Sequence, residues 1–230
     1  MPFIDGMEVE ITMGMKTKHL ILIMATSVIA AASSFAQPPP APAAPVAATE
    51  QIAGAVSIYL LNPRGEVDGL LLVDGTQLKF PPHMSADVTG TVRPGDRITA
   101  QGVREASPAF TAFTITNATN GQSVNEVRPT QPPPPDLRGV NLTPMQADGK
   151  IKALLHAPRG GIQGAVLDNG TIVRIAPHAS EQFMSIFQTG AAISARGYGT
   201  QNEFGRCFEA TEIGAAGQTL TPVYGAPRPR

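Results

Sequence analysis

A direct repeat dominates the sequence and limits the folds that it can adopt. Residues 54–116 align with residues 149–211 at a constant offset of 95 positions without a gap, and 18 of the 63 aligned residues are identical. The segment NPRGEVDG matches APRGGIQG, and VDGTQLKFPPHMS matches DNGTIVRIAPHAS. Self-similarity at a fixed offset is the signature of a structural unit that occurs more than once. The sequence therefore predicts two similar small domains rather than one large domain.

Proline-rich segments separate the two copies from each other and from the N-terminus. Residues 37–51 form a Pro/Ala-rich linker, and residues 125–148 form a second linker with four consecutive prolines. Such composition is typical of extended spacers and domain boundaries. We therefore predict a first domain over residues 52–124, a second domain over residues 149–222 and a C-terminal tail over residues 223–230.

The N-terminal residues have the layout of a secretory signal peptide. Two lysines precede an apolar stretch from Leu20 to Ala32, and small residues follow at the cleavage positions. The stretch is shorter than the about 20 apolar residues of a membrane-spanning helix. We interpret residues 1–36 as an upstream extension plus a signal peptide at about 15–36, with either Met15 as the true start or an unusually long n-region. The sequence thus predicts a periplasmic or secreted protein without a stable membrane span after cleavage.

The charge balance restricts the class of partner. The chain has 17 basic and 18 acidic residues, and removal of residues 1–36 leaves 15 of each. Proteins that bind single-stranded nucleic acid need a basic groove with stacked aromatic side chains, so a nucleic-acid partner is disfavoured. The single cysteine excludes a disulfide framework and a Cys-rich zinc site.

Each copy carries the strand and turn signals of a small β domain. Alternating apolar residues and the turn segments Asn62-Pro63-Arg64-Gly65 and Asp74-Gly75 divide the first copy into short strands. We predict strands over Val56–Leu61, Val67–Val73, Thr76–Phe80, Arg97–Val103 and Phe110–Thr116, the last with Phe113 and Ile115 facing the core.

A short helical element is predicted between the third and fourth strands of each copy. Ser85 and Ser180 lie at positions where they could act as N-caps. Aromatic residues at helical spacing predict a helix over residues 181–188. Residues 86–92 contain several β-branched residues and predict at most a single helical turn.

The order β-β-β-(α)-β-β resembles an OB-fold, a small five-stranded Greek-key barrel. The resemblance covers residues 54–118 and 149–214, and Gly69 and Gly164 fit the sharp bends that a small barrel requires. The chain is similar to exported bacterial proteins with tandem OB-fold-like domains. We therefore expect an all-β protein with short helices and two tandem OB-fold-like five-stranded barrels; a pair of SH3-like barrels is the alternative.

Two Pro-His-x-Ser segments are the first candidates for chemistry. His83 and His178 occupy matching positions in the two copies. Each imidazole could bind a metal ion, with Met84 as an added soft ligand for copper, or could contact an anion near the helix start. The alternative is a packing role over the end of the barrel. Because neither copy shows the three or four converging ligands of a metal site, we predict no cofactor and keep a metal ion as an alternative.

Loop residues form a second group of candidates. The resemblance to OB-folds implies that the loop between the first two strands lines the ligand face. Arg64 and Arg159 lie at the tip of this loop in the two copies, and Arg104 begins another loop that would flank the same face. Tyr59 and Tyr198 are candidate exposed aromatic residues on that face.

No catalytic signature is recognisable in the sequence. It contains no nucleophile elbow, phosphate-binding loop or zinc motif. Cys207 lies beside Phe208, and alternation directs it away from the core, where it would be exposed and able to form a disulfide-linked dimer, or buried beneath the linker. We predict an exported, non-enzymatic binding or scaffold protein for a protein, oligosaccharide or small ligand. The alternatives are a periplasmic metal-handling protein that uses His83 and His178, and an extracytoplasmic nucleic-acid-binding protein.

Overall fold

The first copy of the repeat folds into a closed five-stranded barrel. The computed structural model describes residues 49–104, 109–130, 142–158 and 160–224. The predicted signal peptide, residues 37–48 and Arg159 lie outside the described residues. The barrel strands are β1 (Glu50–Leu61), β2 (Val67–Leu72), β3 (Gln77–Lys79), β4 (Arg97–Arg104) and β5 (Ala109–Asn117), and a short strand, β6 (Ser123–Asn125), pairs antiparallel with β5.

The second copy repeats this arrangement. Its strands are β7 (Thr143–His156), β8 (Ile162–Leu167), β9 (Ile172–Arg174), β10 (Ala192–Asn202), β11 (Gly205–Ala215) and the short β12 (Thr221–Pro222). Strand β7 begins at Thr143, so the last residues of the predicted linker over 125–148 belong to this barrel. Both barrels lie in one compact unit of the chain.

Strand pairing identifies both barrels as OB-folds. In the first barrel the order is β3-β2-β1-β4-β5, and a parallel pairing of β3 with β5 closes the sheet. In the second barrel, β9 pairs in parallel with β11 in the same way. A helical element lies between the third and fourth strands of each copy. This order confirms the OB-fold prediction and excludes the SH3-like alternative, which lacks that element.

Glycine allows each barrel to bend at its second strand. Gly164 has φ of 150°, and a Cβ atom there would lie 2.2 Å from the carbonyl oxygen of Val173. A Cβ atom on Gly69 would lie 2.6 Å from the Leu78 carbonyl oxygen. Because only glycine permits these close approaches between neighbouring strands, the two predicted bend positions coincide with real steric constraints.

The gapless repeat alignment is wrong in the fifth strand. β3 pairs Leu78 with Phe110, and β9 pairs Val173 with Phe208, so Phe110 and Phe208 are counterparts at an offset of 98. Gly102 and Gly197 still correspond at an offset of 95. The second copy therefore contains three additional residues in its β10–β11 hairpin. As a consequence Phe113, predicted to face the core, has 38% of its surface exposed.

The longer helix lies in the first copy and the shorter one in the second copy, which is the reverse of the prediction. Residues Ser85–Thr91 form α1, whereas α2 covers only Ser180–Phe183. After α2, the N–H groups of Ile186 and Phe187 both donate to the carbonyl of Phe183, three and four residues back, and the chain continues as a turn rather than as a regular helix. This irregular path allows both Phe183 and Phe187 to be buried at the end of the barrel. No helix among the described residues is long and apolar enough to cross a membrane.

The serine capping predictions are also wrong. Neither α1 nor α2 receives a side-chain cap, and each follows a 3-10 turn, Pro82–Met84 or Pro177–Ala179. The Ser85 hydroxyl accepts a hydrogen bond of 2.9 Å from the N–H of Val67, which attaches the helix to the start of β2. The Ser180 hydroxyl instead donates to the carbonyl of Pro177.

Candidate functional site

The two barrels pack against each other through matching surfaces. Four residues of the second barrel belong to the apolar cluster of the first barrel: Leu155, Val166, Ile172 and Cys207. Their counterparts in the first barrel are buried as well: Leu60, Leu71, Gln77 and Ala109. These residues lie on the end of the first strand and on the second, third and fifth strands of each barrel. The interface is therefore approximately symmetric, with equivalent strands facing each other.

The side chain of Gln77 in the first barrel forms two hydrogen bonds with the backbone of β7 in the second barrel. Its Nε2 donates to the carbonyl of Leu154 at 2.5 Å, and its Oε1 accepts the N–H of His156 at 2.8 Å. The side chain therefore satisfies two backbone groups of β7 in the way that a neighbouring strand would. Ile172 occupies the matching position in the second barrel and contributes only apolar contact.

An ion pair crosses the same interface. Nη2 of Arg174 lies 2.8 Å from Oδ1 of Asp68, with 11% and 25% of the two side chains exposed. The Arg174 guanidinium also donates to the carbonyl of Leu61 from Nε at 3.1 Å and from Nη2 at 2.9 Å. Burial raises the pKa of Asp68, although the positive charge of Arg174 acts in the opposite direction. One guanidinium thus connects a strand end and a carboxylate of the first barrel to the second barrel.

Cys207 is covered by the first barrel. Its side chain is 0% exposed, and its Sγ donates to the carbonyl of Leu61 at 3.1 Å. The prediction of an exposed thiol is wrong, and the thiol is buried by the other barrel rather than by the linker. Burial raises the pKa of Cys207 to about 12.

We expect the Cys207 thiol to be unreactive in the native protein. A buried thiol that stays protonated is neither accessible nor nucleophilic. An aromatic disulfide reagent at pH 8 should therefore label the thiol only after urea separates or unfolds the barrels. Rapid labelling of the native protein would contradict the buried position, and complete labelling in urea is the control for thiol integrity.

A hairpin of the second barrel extends over the first loop of the first barrel. The Asn202 amide donates to the carbonyl of Gly65 at 2.8 Å, and the Thr200 hydroxyl donates to the carbonyl of Pro63 at 3.2 Å. Phe204 packs edge-on against Tyr59, with ring centroids 5.6 Å apart and an interplanar angle of 85°. These contacts come from the hairpin that carries the three additional residues.

The inter-barrel contacts occupy the usual ligand face of an OB-fold. OB-folds bind oligonucleotides and oligosaccharides on the second and third strands and on the adjoining 1–2 and 4–5 loops. In this protein β2 and β3 face the second barrel, and β8 and β9 face the first. The first loop of the first barrel contacts the β10–β11 hairpin. In both barrels the second and third strands, which form the strand part of this face, are therefore covered by the other barrel.

A recess lies beside this interface. It is a groove of about 920 Å³ between α1 and the first loop of the first barrel on one side and the β10–β11 hairpin on the other. Tyr59, Phe204, Pro82 and Pro94 contribute its apolar surface. Four side chains that can carry charge also line it: Glu66, His83, Arg93 and Glu203. The groove therefore offers apolar contact together with charges of both signs.

The two predicted histidines have different surroundings. His83 is exposed and lines the groove. His178 is exposed in the second barrel, where its ring centroid lies 5.8 Å from that of Tyr224. The structure does not bring the two imidazoles into one site. Within the described ranges, no group of three or more His, Cys, Asp or Glu side chains is placed to hold a metal ion.

The predicted loop arginines that the structure describes also have different surroundings. Arg64 is exposed at the tip of the first loop, where its N–H donates to the side chain of Asn62. Arg104 forms an ion pair with Glu50 at 2.9 Å and lies 5.8 Å above the centroid of Phe110. Arg159 lies outside the described residues. Arg104 is thus exposed but engaged within its own barrel, whereas Arg64 lies at the tip of a loop.

The two candidate tyrosines differ in exposure. Tyr59 is only 9% exposed, and its hydroxyl donates to the carbonyl of Val92 at 2.6 Å. Its prediction as an exposed aromatic is wrong, because Phe204 and the end of α1 cover it. Tyr198 is 50% exposed on the outer face of the second barrel, in a shallow recess with Arg196 and Glu212. The two rings therefore do not share a binding face.

The residues that join the barrels were not found from the sequence. Asp68 is a polar residue within the otherwise apolar strand β2, and Gln77 is a buried polar residue at the start of β3; a buried polar residue is a signal for a specific contact. The matching positions Lys79 and Arg174 are both basic, and Arg174 forms an ion pair with Asp68. No sequence pattern indicated that Phe204 contacts the first barrel, because it lies in a hairpin that the gapless alignment placed incorrectly.

Comparisons with known proteins add little to this description. No protein-family model and no curated protein sequence matches the chain. The wild-type single-stranded DNA binding protein from Thermus aquaticus is similar at 14% identity, with 79% of this chain and 98% of that chain covered and a TM-score of 0.24. A deletion mutant of that protein is similar at 12% identity, with 76% and 96% covered and a TM-score of 0.24. These values carry no functional argument, and the OB-fold assignment rests on the strand order.

Proposed function

We propose that this protein is an exported, non-enzymatic binding protein that holds a segment of a partner protein in the groove between its two barrels. The observation that carries the proposal is the mutual burial of the two OB-fold ligand faces. Binding must then use another surface, and the groove provides a recess of about 920 Å³ beside the interface. Export is inferred from the signal-peptide layout of residues 15–36.

The chemistry of the groove supports a polypeptide as the ligand. Phe204 and two prolines offer apolar contact, and charged groups of both signs lie at the same site. A polypeptide presents apolar side chains, charges and backbone hydrogen-bonding groups together, and it can match such a mixed surface. The test below also distinguishes a polypeptide from a sugar or a small ligand in the groove.

Nucleic acid is not the ligand in this proposal. The whole chain has a formal net charge of −1. Affinity for single strands depends on a basic groove and on exposed aromatic rings for stacking. Here β2, β3, β8 and β9 turn towards the other barrel, and Tyr59 is buried.

Site-specific photocrosslinking in the producing cells tests the proposed groove. A photoreactive phenylalanine analogue at position 83 should give adducts of defined mass that protease treatment removes, because His83 lines the groove. The same analogue at position 178 is the matched control, since His178 is the exposed repeat counterpart outside the groove. Equal adducts at both positions, or none at position 83, would contradict the proposal. Adducts that resist protease would assign a ligand other than protein.

A further inference from the structure

Each barrel has an equivalent unpaired sheet edge along the start of its first strand. The N-terminal half of the first strand of each barrel pairs on one side only: residues 50–55 with β4, and residues 143–150 with β10. The second strand of each barrel pairs only with the later half of that first strand. An open edge presents N–H and C=O groups that can pair with another chain, and natural proteins usually block it.

The second barrel blocks this edge. The N–H of Ile151 donates to the carbonyl of Ala191, so alternate residues of β7 from position 150 backwards direct their backbone groups towards the edge. Three of their carbonyls accept hydrogen bonds from outside the strand: Lys150 from the Asp168 N–H (2.8 Å), Asp148 from the Asn169 amide (3.1 Å) and Gln146 from the Arg206 guanidinium (2.8 Å). The fourth residue, Pro144, has no N–H to offer.

The first barrel leaves the matching edge open. The N–H of Val56 donates to the carbonyl of Asp96, so Ala55, Ala53 and Gln51 direct their backbone groups towards the edge. The carbonyl of Ala55 accepts the N–H of Val73 at 2.9 Å. Ala53 and Gln51 are exposed, and their edge-facing groups have no partner within the part of the chain that the structure describes.

We propose that this open edge of β1 pairs with the same edge of a second copy of the chain. The pairing is antiparallel and centred on Ile52, so that Gln51 of each chain lies opposite Ala53 of the other. A hydrogen-bonded antiparallel pair exchanges two N–H···O=C bonds, and the two such pairs here give four. The exposed edge therefore becomes the centre of a sheet that continues from one chain to the other.

The side chains and charge of the edge favour a second copy as the occupant. In this register Ile52 faces Ile52 and Glu50 faces Gly54, so no like charges are directly opposed. The net charge of −1 adds little repulsion between copies. The preceding residues 37–48 contain five prolines, so that segment lacks many of the N–H donors that a paired strand needs.

Sedimentation velocity from micromolar to millimolar concentration tests this pairing in the purified protein. The wild-type protein should show a monomer–dimer equilibrium. The Ala53→Pro variant should raise the dimer dissociation constant by about tenfold or more, because it removes one donor from each chain. The N–H of Ala53 faces away from β4, so proline at this position leaves the pairing of β1 with β4 intact.

Two further variants separate loss of pairing from loss of folding. Ala53→Asp introduces the charge that the second barrel carries at Asp148, in a strand that demonstrably tolerates it, and should weaken the dimer in the same way. Asp148→Pro is the control: it alters the blocked edge of β7 in the second barrel and should leave self-association unchanged. A wild-type protein that is monomeric at every concentration, or an Ala53→Pro variant that associates like wild type, would overturn the proposal.

Hydrogen exchange provides a residue-level readout of the same contact. The amides of Gln51 and Ala53 should become more protected as the protein concentration rises, because pairing occupies them. Exchange at these two amides that does not depend on concentration would overturn the proposed register. The edge shares no residue with the groove lining, so this test is independent of partner binding.

Discussion

Replacement of Phe110 by alanine should lower the free energy of unfolding by about 3–5 kcal/mol, whereas Phe113→Ala should cost less than about 1 kcal/mol. Phe110 is fully buried in the first barrel, and Phe113 is partly exposed on the same strand. Loss of a fully buried ring removes its transfer free energy and leaves a cavity, and an exposed ring contributes neither term in full. Urea unfolding monitored by circular dichroism measures both changes.

This pair of variants tests the register of the repeat directly. The gapless alignment makes Phe113 the counterpart of the buried Phe208, and the structure makes Phe110 that counterpart. Phe208→Ala should therefore resemble Phe110→Ala in its cost. If Phe113→Ala were the more damaging of the two first-barrel variants, the additional residues in the β10–β11 hairpin would be placed incorrectly.

The Arg174→Ala variant should lose about 3 kcal/mol of stability at neutral pH, at the lower end of the range for a broken buried ion pair. The substitution leaves the carboxylate of Asp68 and the carbonyl of Leu61 without their shared donor. The lower end applies because a quarter of the Asp68 side chain is exposed. Arg196→Ala is the matched control, since Arg196 is exposed on β10 and its loss should stay within about 0.5 kcal/mol.

The cost of Arg174→Ala should also depend on pH. Burial raises the pKa of Asp68 in the folded protein, so the folded state binds this proton more tightly than the unfolded state. The stability associated with Asp68 is complete below the unfolded pKa of about 3.9 and is lost as the pH rises through the higher folded pKa. Removal of Arg174 raises the folded pKa further and enlarges this loss. The deficit should therefore be larger at pH 7 than at pH 4, and an equal deficit at both would contradict the prediction.

The individual barrels were largely predictable because their determinants are local. The turn at Asn62–Gly65 is closed by a hydrogen bond from the N–H of Gly65 to the carbonyl of Asn62, as the Asn-Pro-Arg-Gly segment indicates. Gly69 and Gly164 lie where no side chain fits. The helices were less predictable, because burial of Phe183 and Phe187 outweighs the helix propensity of their neighbours.

The candidate site was mostly not predictable, because residues distant in the sequence build it. The OB-fold resemblance directed attention to the first loop, but it placed this loop at a free ligand face. The structure shows that Asn202 and Thr200 bind the backbone of the first loop instead. Of the predicted site residues that the structure describes, only His83 and the buried Tyr59 line the groove.

One signal of the interface was present in the sequence. A strand with one face towards solvent alternates between apolar and polar residues, whereas a strand buried on both faces is apolar throughout. The segments Gly69–Leu72 and Gly164–Leu167 contain no polar side chain. Both faces of each segment are covered, one by the core of its own barrel and the other by the opposite barrel.

The sequence by itself determined that there are two copies, where their strands and turns lie, and that each closes into a small barrel, because periodicity and turn chemistry act over a few residues. Only the tertiary structure decided that the second and third strands of the two barrels cover each other, that Arg174 pairs with Asp68, and that one edge of β1 has no partner among the described residues. Leu71 and Val166 have the same apolar character as side chains that fill a barrel. Apolar burial has no direction, and only the three-dimensional packing distinguishes a core from an interface.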